Sequence, residues 1–395
     1  MKSWVEVSER RLAGNYRLLR DAAGGDTAVL AVVKANAYGH GAAVCAPVLV
    51  RAGAEWLGVT DVAEGAAVQK ALEVAGVARR ERPGILVMSG LLREDAEEVV
   101  RLGLTPVVWL REQMEWLAEA AKRLGMGPVG VHVEIDTGMA RQGVAVGVEL
   151  EELVAWVRGE SGIRVDGVMT HFASSEVAGS AQTVLQRRRF EEAIGVVQAA
   201  DLRASWVHAG NSSTIDNEGV RNVAWLQGVA EIVGARSMVR TGIALYGYCL
   251  PIEGEGLSEV RQKLQPVMTW KTRVIGLREA EAGDTVGYNG IYCVPRAMRL
   301  ALLPVGYADG VRRELSASNA RAGGWAMVRG EKAPIVGRVS MNLTIVDVSG
   351  IEGVALGDEV VVLGDGVTAE DHARLAGTIA YEIVCGVRPA HRSGV

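Results

Sequence analysis

Along residues 1–245, side chains able to bind ligands or move protons recur at the ends of short apolar runs. Lys34 follows Ala28-Val29-Leu30-Ala31-Val32-Val33. Asp136 closes a run from Val129, and Arg141 stands just beyond it. His171 ends the run from Val165, Asn211 and Ser212 follow Ser205–Ala209, and Arg240 and Gly242 lie within Met238–Leu245. A lysine at the end of a buried strand is costly as a charge unless it is paired or neutralised. Covalent attachment to a carbonyl cofactor neutralises it and makes it useful. Position alone leaves open the alternative that its ammonium reaches past the strand into solvent. His132, Glu134 and Asp136 alternate along one strand and share a face, as metal ligands do. No further His or Cys cluster joins them, so no metal is expected.

These residues need a frame that brings separate strand ends together. Candidate strands are Ala28–Lys34, Glu55–Thr60, Gly84–Ser89, Thr105–Trp109, Val129–Asp136, Val165–His171, Ser205–Ala209 and Met238–Leu245. Their near-continuous apolar character fits strands buried on both faces of a parallel sheet. Helical stretches lie between them. Asp61-Val62-Ala63-Glu64 reads as a helix-opening capping box, and Arg111–Arg123 repeats apolar residues at helical spacing. Eight such units predict an α/β fold, an N-terminal (β/α)8 TIM-type barrel over residues 1–245, with a doubly wound sheet as the competing arrangement. Barrel enzymes carry their catalytic groups at the C-terminal strand ends, where these polar residues fall.

Beyond Tyr246 the pattern changes. Pro251–Gly256 reads as a linker. Short β-prone runs follow at Val267–Leu277, Met298–Pro304, Ala333–Val339, Thr344–Val348 and Glu359–Leu363, separated by turn signals. Residues 246–395 are therefore expected to form a mostly β C-terminal domain. A net charge of −5 implies no basic surface for nucleic acid or anionic lipid. Cys45, Cys249, Cys293 and Cys385 include no Cys-x-x-Cys pair and suggest neither a zinc site nor a disulfide framework. The N-terminus lacks an apolar signal core, and no run is long enough to span a bilayer, so a cytoplasmic protein is expected.

The segment Ala31-Val32-Val33-Lys34-Ala35-Asn36-Ala37-Tyr38-Gly39-His40-Gly41 resembles the cofactor-lysine motif of the alanine racemase family, pyridoxal-phosphate enzymes built from a barrel and a β domain. Further resemblances follow in order: EIDTGMARQG, MTHF, HAGNSS, MVRTGIALYG, VGYNG, PVGYADG, GRVSMN and YEIVCG. Together they span nearly the whole chain. The resemblance implies pyridoxal 5'-phosphate as cofactor, with Lys34 carrying it and Tyr288 as the opposing catalytic group. It implies phosphate contacts from Tyr38, Ser212, Gly242, Ile243 and Tyr381, with Asn211 among the cofactor-binding residues. Arg240 would face the pyridine nitrogen with His171 behind it. Arg141 and Met341 would meet the substrate, and Tyr307 would stand at the site entrance.

The implied activity is interconversion of L- and D-alanine for peptidoglycan, in a homodimer whose partner supplies the tyrosine matching Tyr288. Three positions depart from the pattern. Glu134 replaces a lysine that many members carbamylate; it either supplies that negative charge to Arg141 or faces solvent or another basic group. Asn342 replaces an aspartate and keeps a broader, for example serine, racemase as the alternative. Thr241 replaces a proline. A non-catalytic pyridoxal-phosphate carrier would lack the second domain and Tyr288, and a related decarboxylase would place an acid where Arg240 stands.

Overall fold

The computed structural model describes residues 1–217, 219–254, 260–389 and 391–395. Contacts divide the chain into two units. One comprises Leu12–Ala37 and Cys45–Leu264, the other Met1–Arg11, Tyr38–Val44 and Gln265–Val395.

The first unit is a closed parallel barrel. Its strands are β1 (Ala28–Val32), β2 (Trp56–Val59), β3 (Gly84–Val87), β4 (Thr105–Val108), β5 (Val129–Asp136), β6 (Ile163–Met169), β7 (Trp206–His208) and β8 (Arg236–Thr241). Neighbours pair in chain order, β8 pairs with β1, and every pairing is parallel. Helices such as Val62–Val74, Arg111–Leu124 and Ala181–Ala199 return the chain between strands. Residues of β1 are buried throughout, as a continuous apolar run requires when a barrel core lies on one side and helices on the other. Asp61 caps Val62–Val74 as its sequence implies, accepting from the Glu64 N–H at 2.9 Å.

Two strand ends differ from the sequence reading. β1 stops at Val32, two residues short of Lys34. β8 stops at Thr241, and Ile243–Tyr246 is a 3-10 turn rather than the end of a strand. At β8 the cause is a distant partner: Gly242 and Ala244 donate their N–H groups to the Ser212 hydroxyl, which takes them out of the ladder. In the expected linker, Glu253 forms a bridge with Val177, while Glu255 and Gly256 lie outside the described residues.

The second unit is mostly β. One sheet orders Glu331–Pro334, Trp325–Val328, Glu359–Leu363, Met268–Arg273, Ser3–Val7 and Arg392–Gly394; another orders Gly276–Ala280, Met298–Leu303 and Thr344–Asp347. The single expected run Val267–Leu277 is therefore two strands in different sheets. Successive N–H groups change partner there, Val274 donating to Asp358 and Ile275 to Leu302. The expected run from Ala333 ends at Pro334, and Ile335 forms only an isolated bridge with Val346. Among the described residues no helix is long and apolar enough to cross a membrane.

Inside the barrel, Gly167 of β6 lies in register with His132 on one side and Trp206 on the other. A β-carbon there would stand 2.6 Å from the His132 ring. Gly167→Ala is expected to lower stability by about 1–3 kcal/mol through overpacking, read as a lower urea midpoint. An unchanged midpoint would show that the ring moves aside freely.

Candidate active site

Every strand-end residue singled out in the barrel is found at its C-terminal rim or just inside it. Lys34 is half-buried two residues past β1. The chain then makes a left-handed turn: Ala35, Asn36, Ala37 and Tyr38 have φ of 51°, 53°, 56° and 51°. Residues with a β-carbon avoid this region, at a cost of roughly 1–2 kcal/mol each. Glu64 holds the first part in place, accepting from the Asn36 N–H at 3.3 Å and the Thr60 N–H at 2.8 Å.

At the end of β5, Asp136 Oδ1 accepts three successive N–H groups, from Gly138 and Met139 at 2.9 Å and Ala140 at 3.2 Å. This turn delivers Arg141, whose guanidinium is exposed and has no acceptor among the described residues. Glu134, two residues before Asp136, is buried. It accepts from Gln142 Nε2, which also donates to the Met88 carbonyl at 2.9 Å. Of the readings open for Glu134, solvent exposure is thus excluded, and its hydrogen-bond partner is an amide rather than Arg141. Burial raises its carboxyl pKa against the opposing pull of the Gln142 hydrogen bond, Arg240 and Arg141.

Ser212 opens the short helix Ser212–Asp216, capped by Asn211, which accepts from the Thr214 N–H at 3.2 Å. The Ser212 hydroxyl receives the Gly242 N–H at 3.1 Å and the Ala244 N–H at 3.3 Å. One hydroxyl thereby ties two helix starts together at a buried point that includes Ile243. Thr241, the departure just before them, is fully buried, and its hydroxyl has no partner among the described residues.

Arg240 is buried at 4% exposure, and its neighbours are unusual. Nη1 donates to His208 Nδ1 at 3.1 Å. Nη2 donates to the Thr170 carbonyl at 2.7 Å and to His171 Nδ1 at 3.1 Å. His208 Nε2 meets His132 Nδ1 at 2.8 Å. Burial lowers the Arg240 pKa to about 10, with Glu134 opposing the fall. His171 and His208 are held well below their ordinary range, first by burial; for His171 the charges of Arg240, Arg141 and Lys34 add to the fall. The site is therefore cationic but its histidines are neutral. The sequence assigns His208 no role and offers His132 only as a metal-ligand candidate. Among the described residues no three His, Cys, Asp or Glu are grouped to hold a metal. Strand alternation was the available signal, since it aims both rings into the barrel.

The remaining candidates belong to the second unit. Tyr38 and Tyr381 stand with ring centroids 6.2 Å apart, and burial pushes the Tyr38 hydroxyl pKa up. The Gly39 carbonyl accepts from Arg392 Nε at 2.8 Å. Tyr288 begins the turn joining Thr285–Val286 to Tyr292–Cys293 and is 68% exposed. Tyr307 and Met341 are also exposed and lie on adjoining loops: the Tyr307 N–H donates to Ser340 and the Ala308 N–H to Met341. Asn342 donates to Asp309 at 3.2 Å.

A closed parallel barrel with a lysine, two arginines and a hydroxyl-tied pair of helix starts at its strand ends defines a (β/α)8-barrel enzyme with a cationic site. Residues 7–250 match the family model "Alanine racemase, N-terminal domain", and residues 267–393 match "Alanine racemase, C-terminal domain". The chain is 36% identical to an alanine racemase of Syntrophobacter fumaroxidans, covering 98% of this chain and 95% of the relative. The solved alanine racemase of Streptomyces coelicolor is 32% identical at a TM-score of 0.87, covering 100% and 98% of the two chains. That of Bartonella henselae with covalently bound pyridoxal phosphate is 26% identical at 0.78, covering 100% of each. The chain belongs to the alanine racemase family, a family of amino-acid racemases.

The neutral histidines have a consequence for stability. An unfolded histidine has a pKa near 6.5, whereas burial holds His132 near about 3 and the other two well below 6.5. The folded state binds fewer protons, so this stability is complete above pH 6.5 and is lost as pH falls toward the folded values. Each ring contributes a slope of about 1.4 kcal/mol per pH unit. Glu134, with its raised pKa, offsets up to one proton in the opposite sense. Urea midpoints measured at pH 7 and 5 should fall steeply; equal midpoints would mean the rings are charged in the fold.

Proposed function

We propose that this protein interconverts L- and D-alanine with pyridoxal 5'-phosphate, as a homodimer in the cytoplasm, and supplies D-alanine for peptidoglycan. The observation that carries this reading is the cluster at the barrel rim: a half-buried lysine, a buried arginine and a two-helix hydroxyl cradle, each in a motif of the family. The donor set fits the cofactor. The Ser212 hydroxyl and the amides around Gly242 and Ile243 suit a phosphate, with Asn211 shaping that cap. Tyr38 and Tyr381 are the other candidate phosphate contacts.

The bound cofactor supplies a conjugated ring that spreads the charge left when Cα loses its proton. Lys34 would hold the group covalently before substrate arrives, and its Nζ, once free as an amine, would take or return a proton at one face of Cα. Tyr288 serves the other face with its hydroxyl. Arg240 has only donors, so it would leave a ring nitrogen placed against it unprotonated, which would limit side reactions such as transamination. His171 positions Arg240. Arg141 and Met341 meet the substrate, with the guanidinium offering a two-pronged contact to its carboxylate, and Tyr307 guards the entrance.

The 68% exposure of Tyr288 supports the dimer, because a group exchanging protons with Cα works in a site closed to water. Its neighbours on the same unit, Tyr307 and Met341, are exposed as well.

Lys34→Ala should abolish absorbance near ~420 nm, the range of a lysine-linked pyridoxal chromophore, and nearly all turnover. A lysine adduct still reducible by borohydride in that variant would overturn the assignment. Tyr288→Phe should retain the chromophore and lose turnover by about 100-fold in both directions. Mixing the two inactive variants after reversible dissociation should restore about a quarter of the activity if each site takes Lys34 from one copy and Tyr288 from the other. No recovery from verified mixed dimers would place both residues in one chain's site.

A further inference from the structure

The three histidines linked to Arg240, directly or through one another, are not independent. Arginine offers only donors, so each ring nitrogen it meets must accept. His208 Nδ1, 3.1 Å from Nη1, and His171 Nδ1, 3.1 Å from Nη2, therefore carry no proton. Both neutral rings are protonated on Nε2. The His208 Nε2–H then donates to His132 Nδ1 at 2.8 Å, so His132 is also protonated on Nε2. That last N–H has no acceptor among the described residues. The donors run one way, outward from the Arg240 charge to a ring fully buried in the barrel.

His132 cannot leave this arrangement cheaply. Gly167 gives its ring the room to lie in register, Trp56 packs against it at 5.3 Å, and the His208 ring meets it edge-on at 4.8 Å. Reversing either tautomer would set two donors against each other. The barrel also claims three of the five guanidinium hydrogens, for His208, Thr170 and His171. The Nε hydrogen and one Nη1 hydrogen are what Arg240 can offer elsewhere.

We propose that His132 and His208 form a tautomer lock that fixes which donors Arg240 presents to the cofactor ring, making His132 a positioning residue that acts through His208. The low pKa of His132 agrees with a ring that stays neutral. The catalytic consequence rests on the function proposed above; the tautomer assignment does not. Without an acceptor at position 132, His208 is free to turn or change tautomer, Nη1 loses its partner, and the guanidinium loses its fixed orientation.

Histidine-labelled 15N NMR of the purified full-length protein at pH 7 tests the lock directly, whether or not the protein racemises alanine. His132, His171 and His208 should all appear as neutral Nε2–H tautomers; a His208 protonated on Nδ1 overturns the proposal. Two variants carry the test into function. His132→Asn retains a short-reach acceptor and should keep the His208 tautomer, with kcat within about threefold of wild type. His132→Phe keeps the ring packing against Trp56 but removes the acceptor. It should release the His208 tautomer, lower kcat about tenfold with KM little changed, and raise the ratio of cofactor lost by transamination to racemisation turnovers. A role in packing alone predicts the reverse order, with Phe better tolerated than Asn, and that order would overturn the proposal. If His132→Phe does not fold, the wild-type tautomers and His132→Asn still decide it. Absence of racemase activity alongside the expected tautomers would count against the proposed function and leave the lock standing.

Discussion

A guanidinium buried inside a barrel is the constraint around which this site is arranged. An isolated buried charge is prohibitive unless its hydrogens are taken up and a counter-charge lies near. Arg240 meets the first condition with two imidazoles and a carbonyl, and the second with the field of the buried Glu134. Neutral imidazoles satisfy donors without adding charge, but they do so only in one tautomer. The same burial that keeps Arg240 in place thus keeps its two histidine partners and the His132 ring behind them neutral, and a proton on any of them would face the guanidinium across the interior.

Glu134 shows how such a site tolerates a change of residue type. It occupies a strand position facing inward, and Gln142, eight residues later in the loop that returns past Arg141, gives one amide hydrogen to it and the other to Met88. The carboxylate thereby becomes part of the barrel interior, and Arg141 is left exposed with its donors available. The carboxylate–amide pair balances the Arg240 charge inside the barrel, while Arg141 stays exposed.

The backbone takes part as directly as the side chains. Four consecutive residues after Lys34 sit in the left-handed region, a conformation unfavourable for alanine and tyrosine alike, and it persists because the surrounding hydrogen bonds over-determine it. The turn after Asp136 is built from three amides on one carboxylate oxygen, and the cradle near Ser212 from two amides on one hydroxyl. In each case a short side chain replaces the missing strand or helix partners at the place where a rim loop begins.

Much of this was legible in the sequence. Continuous apolar runs separated by helical stretches specify buried parallel strands, because only strands covered on both faces lack alternation. A polar residue closing such a run marks the rim, so Lys34, His171, Asn211, Ser212 and Arg240 could be placed before any coordinates. Other features depended on partners distant in the chain. Nothing local to Val274 or Ile275 says that their amides belong to different sheets, since both lie in one β-prone run. Nothing near Gly242 says that its amide turns to a hydroxyl thirty residues earlier. The sequence gives His208 no role and His132 only that of a possible metal ligand, because a histidine's role is set by what its nitrogens face. Only the pairing of β6 with both neighbours, which sets β5 and β7 on either side of Gly167, puts those two rings in contact and hands one of them to Arg240. Residue type and periodicity determine which side chains reach the rim and the interior; the pairing of strands far apart in sequence decides which of them share a proton.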